Sequence, residues 1–85
     1  MRFIDYPFDL GSDDAVEVWL DKQANVRMLD EFNFQLFCRR QEHIWYGGWA
    51  TASPVLLQPP NAGHWHVVID LGGYAGTVSA LAYVV

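Results

Sequence analysis

The chain has 85 residues, a length for one domain, here 1–85, and too short for a second. Hydrophobic residues make up 52% and charged ones 18%, which excludes a disordered chain, and four Trp, four Tyr and five Phe supply the area that a small core needs. The net charge of −5, from ten acidic and five basic residues, argues against a nucleic-acid or acidic-membrane partner, since a phosphate surface would repel it.

The first segment, MRFIDYPFDLGSDD, carries Asp5 and Asp9 among its apolar residues and so does not read as a secretory leader. No apolar run reaches the roughly 18 residues of a membrane helix. The lone cysteine, Cys38, cannot form an internal disulfide, and these features together point to the cytoplasm. In AVEVWL, residues 15–20, Val16, Val18 and Leu20 share one face, with Glu17 and Trp19 on the other; this period of two predicts a half-buried strand. The polar run Asp21 to Asn25 then reads as a hairpin loop, and residues 26–29 as a second strand.

From Asp30 the alternation breaks. Asp30 is a candidate N-cap for a short helical segment near 31–38, which would pack Phe34 and Phe37, or Phe32 and Leu36, onto the core. Residues 43–51 read as a strand interrupted at Gly47-Gly48, the mark of a bulge or of a close backbone approach. Short strands follow at 55–58, 64–71 and 77–85, separated by Pro59 to Gly63 and by Gly72 to Gly76, the latter a hairpin turn with positive φ. Six to seven short strands without α/β alternation predict an all-β fold: a small antiparallel β-sandwich or flattened barrel with one helical segment.

The segment HWHVVIDL holds the most chemistry. Trp65, Val67, Ile69 and Leu71 form a dry core face; the opposite face presents His64, His66, Val68 and Asp70. Two histidines at i and i+2 leave the sheet on the same side and can ligate one zinc ion, but a catalytic zinc needs a third protein ligand and a structural one a fourth. Asp70 lies roughly 13 Å along the strand from His66, too far to share the ion. His43 is the candidate third ligand, with Cys38 behind it. The competing reading is a solvent-facing or half-covered strand face with hydrogen-bonded imidazoles.

Other motifs carry less. Gly72-Gly73-Tyr74-Ala75-Gly76 precedes a strand rather than a helix, so it does not read as a phosphate loop. Cys38 beside Arg39 and Arg40 raises the question of a lowered thiol pKa, against which stands simple packing next to Phe37. The aromatic set Trp19, Trp45, Tyr46 and Trp49 lies partly on outward strand faces, where rings can form a protein interface or stack on a sugar.

Ala24 to Asp30, Asn33-Phe34, Gly47-Gly48, Ser53-Pro54 and the run from Gly63 to Tyr74 resemble the bacterial domain-of-unknown-function family 1883, over nearly the whole chain. HWHVVIDLGGY is the most specific part, while Phe37 to Glu42 departs from a family pattern that is more basic and polar there. The resemblance implies a small β-sandwich with no established activity and no catalytic residues to carry over. Some relatives are joined to signalling domains of the Toll/interleukin-receptor type, which implies a recognition role. The expected function is thus a non-enzymatic module without a cofactor that binds a protein partner or self-associates through Trp19, Trp45, Tyr46 and Trp49. The alternatives are a metal-binding domain or metal-dependent hydrolase using His43, His64 and His66, and a carbohydrate or small-ligand module using the Trp rings.

Overall fold

Segments that alternate apolar and polar residues can bury one face only, and here they do so against one another. In the computed structural model, which describes residues 2–85, the elements are β1 (Ile4–Leu10), β2 (Val16–Leu20), β3 (Ala24–Asp30), α1 (Glu31–Cys38), β4 (Tyr46–Ala50), β5 (Val55–Leu57), β6 (Gly63–Asp70) and β7 (Ala80–Val84). A four-stranded sheet in the order β1-β6-β3-β4 faces a three-stranded sheet in the order β5-β2-β7, and all pairings are antiparallel. The fold is therefore a small all-β sandwich with one short helix, and its sheets do not close into a barrel.

Strand β1 adds to the segments read from the sequence. Ile4, Tyr6, Phe8 and Leu10 alternate with Asp5, Pro7 and Asp9, and the strand pairs with β6 from Ile4 opposite Ile69 to Leu10 opposite Gly63. Between the sheets lie Val16 and Val18 of β2, Val26 and Met28 of β3, and Val67 and Ile69 of β6, all fully buried. Trp65 joins them, its indole N–H donating to the Asn61 carbonyl at 3.0 Å. The dry face expected on β6 is thus the floor of the core.

Two expected hairpins are not hairpins. Strands β2 and β3 belong to different sheets, so Asp21 to Gln23 carries the chain from one layer to the other, and Asn25 is already part of β3. Gly72 to Gly76 also joins the two sheets, although Gly72, Gly73 and Gly76 do take positive φ of 64°, 91° and 110°. A polar, glycine-bearing connection looks the same in sequence whichever sheet the next strand enters. No bulge interrupts β4: Gly47 and Gly48 pair one-to-one with Arg27 and Val26. Gly47, at φ 112°, instead permits a close approach, since a Cβ there would sit 2.2 Å from the Val26 carbonyl oxygen.

Helix α1 covers the outer face of the larger sheet. Asp30 caps it, its carboxylate accepting from the Asn33 backbone N–H at 2.8 Å. At the other end Gln41 N–H donates to Leu36 O and Arg40 N–H to Phe37 O, a Schellman closure whose left-handed position is held by Arg40 at φ 57°. Phe37, assisted by Phe34, packs on Leu29 and Val68 to form a second small core, whereas Phe32 points outward. Strand β6 is consequently covered on both faces. His66 is 6% exposed and Asp70 1%, so the imidazole face is covered along most of its length, and only His64 at its end stays open to water. No described helix is long and apolar enough to cross a membrane.

Candidate metal centre

Three elements bring their side chains to one point at the His64 end of this covered face. β6 contributes His64 and His66, two residues apart and so on the same side of the sheet. α1 contributes Glu31, its first residue, which Asp30 capping fixes directly above them. β1, alongside β6, contributes Asp9, directly opposite His64, and Asp5, diagonal to His66.

His66 Nε2 lies 2.9 Å from Glu31 Oε1, and His64 Nε2 lies 3.7 Å from the same oxygen. One ligand atom from each of Glu31, His64 and His66 falls within 4.8 Å of the others. On the far side of each ring, Nδ1 meets an aspartate: His64 with Asp9 at 2.7 Å, His66 with Asp5 at 2.9 Å. Carboxylates only accept, so His64 Nδ1 donates to Asp9, whereas both nitrogens of His66 face an acceptor, Nδ1 toward Asp5 and Nε2 toward Glu31; each Nε2 is directed at the shared point. Phe34 stacks flat on the His66 ring, with 3.7 Å between centroids and 3° between planes, and locks its orientation.

The electrostatics follow from these contacts. The hydrogen bond from His64 to Asp9 raises the imidazole above its ordinary value; desolvation opposes it, and the charges of Asp9, Glu31 and Asp5 add to the rise. Hydrogen bonds from Gln35 and then His66 hold the Glu31 carboxyl below its ordinary value. A neutral imidazole has one N–H, yet His66 stands between two carboxylates that can only accept. Its contact with Glu31 therefore needs a second proton, or a metal ion in the proton's place. Ligand atoms bound tetrahedrally to zinc at about 2.0–2.1 Å lie about 3.3 Å apart, between the 2.9 and 3.7 Å seen here. An imidazole whose Nδ1–H is held by a carboxylate while Nε2 faces a metal is the usual support for a histidine ligand.

Of the histidines expected to converge, His64 and His66 do and His43 does not. His43 Nδ1 contacts the Gln41 carbonyl at 2.8 Å, its ring meets the edge of Phe37, and it stands outside the ligand group; Glu31 takes the third place. Asp70 is engaged elsewhere, in a salt bridge with Arg27, a hydrogen bond from Asn25 and another from the Gly72 N–H. The Cys38 thiol is raised, not lowered: partial desolvation, then the charges of Asp5 and Glu31, oppose the thiolate. Glu31, Asp5 and Asp9 escaped the sequence reading. Asp5 and Asp9 share the parity that puts them on the same face of the sheet as His64 and His66, a signal that becomes usable once β1 is recognised as a strand paired with β6.

The four aromatic residues do not form one surface. Trp19 lies on the outer face of the three-stranded sheet, where its indole N–H reaches Glu17 Oε1 and the Tyr83 hydroxyl. Trp45 and Trp49 lie on the outer face of the other sheet, Trp45 over the Arg27 guanidinium and Trp49 beside Tyr74. Tyr46 points inward at the sheet edge, against Trp65.

Fold and site together define a small β-sandwich domain whose helix roofs a His-carboxylate cluster on one sheet. The chain belongs to the family described as Domain of unknown function (DUF1883), which matches residues 1–84. Comparison with curated proteins and with solved structures finds no match.

Proposed function

We propose that this domain is a non-enzymatic metal-binding module that takes one divalent transition-metal ion of the zinc type through His64 Nε2, His66 Nε2 and the Glu31 carboxylate. The observation that supports the reading is the convergence of these three donors while Asp9 and Asp5 engage the opposite nitrogens of the two rings. Two imidazoles and a carboxylate suit zinc, and equally iron(II) or cobalt(II) where positions remain open. The unpaired Cys38 thiol fits a cytoplasmic setting.

Calorimetric titration with zinc chloride tests this. One ion is expected per chain, with affinity lowered at least about tenfold in Glu31→Gln and in His64→Gln. Wild-type heat that is absent, or unchanged by both substitutions, would contradict the reading. Glu31 and His64 are suitable targets because both side chains are about half exposed and lie outside the core, so the variants keep the core intact.

A second reading, self-association, draws on one observation. Trp19, Leu56, Leu81 and Tyr83 all face outward from the three-stranded sheet, Leu56 at 65% and Leu81 at 58% exposure, around a Trp19-Glu17-Tyr83 hydrogen-bonded set that holds the rings still. Contiguous apolar surface of this kind favours a protein contact. Sedimentation velocity should then give a dimer at high concentration that Leu81→Lys dissociates; a monomer at every concentration contradicts it.

A further inference from the structure

At the end of the sandwich away from the histidines, the start of β1, the end of β6 and residues 72–78 enclose a cleft of about 780 Å³. This lies within the roughly 300–1,000 Å³ of ordinary small-ligand sites. Its lining is mostly apolar, with Phe3, Ile4, Leu71 and Val78 presenting surface and the buried Ile69 behind them. Arg2, an exposed residue, also belongs to the lining, and among the described residues it has no carboxylate partner.

The wall formed by residues 71–76 is built in advance. Tyr74 N–H donates to Leu71 O at 3.2 Å across Gly72 and Gly73, two successive residues at positive φ, as in the primed tight turns. Asp70, fully buried, anchors that turn by accepting from the Gly72 N–H at 2.7 Å, and is itself held by Arg27 and Asn25. Its charge is satisfied within the protein, so the guanidinium of Arg2 is the charge that a ligand meets. A pre-formed, mostly apolar cleft with one unpaired cation in its lining selects an apolar body bearing one anionic group.

We infer that this cleft binds a small amphipathic anion, its apolar chain against Ile4, Leu71 and Val78 and its carboxylate at Arg2. None of Glu31, His64 and His66 lines this cleft, and it does not depend on a metal there.

The test uses decanoate and, as its uncharged counterpart, decanol, with the full chain in the presence of a chelator. Backbone amide NMR should show saturable shifts confined to residues 2–4 and 69–78. Arg2→Glu should weaken decanoate at least about tenfold, the scale of losing one charge-assisted contact, and leave decanol unchanged. Val78→Trp should fill the cleft and abolish both. Shifts spread over the surface or absent from 69–78, or equal effects of Arg2→Glu on the two probes, would overturn the inference. If Val78→Trp fails to fold, the comparison of the two probes on Arg2→Glu decides alone.

Discussion

The two aspartates of β1 orient the imidazoles without touching the proposed ion. Asp9 is 91% exposed at its side chain, so Asp9→Asn should leave stability within about 0.5 kcal/mol of wild type. It should nonetheless weaken zinc binding by roughly 10–100-fold, because an amide supports the ring's N–H less well than a carboxylate. Paired chemical denaturation and zinc titration separate these outcomes. Glu17 provides a pH-dependent counterpart on the opposite sheet. Hydrogen bonds from Tyr83 and then Trp19 hold its carboxyl below the ordinary 4.5. Its contribution to stability is therefore present in full above that value and lost as pH falls through the lowered one. Melting curves of wild type and Glu17→Gln, taken from about pH 6 to about pH 3, should show a wild-type advantage that disappears in acid. An advantage that grows in acid would reverse the sign.

Helix α1 connects fold to site, since it both roofs β6 and carries Glu31. Asp30→Ala removes the N-cap and should cost about 1 kcal/mol. It should also lower zinc affinity, because Glu31 begins the turn that the cap secures. At the other end, Arg40 occupies the left-handed position that glycine adopts freely. Arg40→Gly should accordingly stabilise the protein by roughly 0.5–1 kcal/mol, measured by urea denaturation, with no effect on zinc. The break in alternation at Asp30 and the spacing of Phe34 and Phe37 made this helix, its cap and its buried face readable in advance. What it covers was not: nothing local to residues 31–38 states that they fold over His66, and so Glu31 could not be matched to the histidines.

The same division holds for the sandwich. Period-two segments identify strands because each needs one dry face, and β2, β5, β6 and β7 follow that rule where the sequence indicates. Which sheet a strand joins depends on partners distant in the chain. The chain changes sheet at every connection except β3 through α1 to β4, so neighbouring segments made poor guides to pairing, and the supposed hairpins failed together. The His-carboxylate cluster inherits this difficulty, as Glu31 comes from α1, the two histidines from β6, and Asp5 and Asp9 reach them only because β1 lies beside β6. The proposed ion, bridging α1 and β6, should stabilise the folded state by about 2.7 kcal/mol at about a hundredfold excess over Kd, an upward shift in Tm on the order of 10 °C. The most direct measurement is anomalous scattering at the zinc edge from crystals of the zinc-loaded protein. It should place one peak about 2.0–2.1 Å from both His64 Nε2 and His66 Nε2 and within reach of Glu31. Density between the rings without an anomalous peak, or a peak bound elsewhere, would mean that the cluster is a proton-linked network of histidines and carboxylates and not a metal centre.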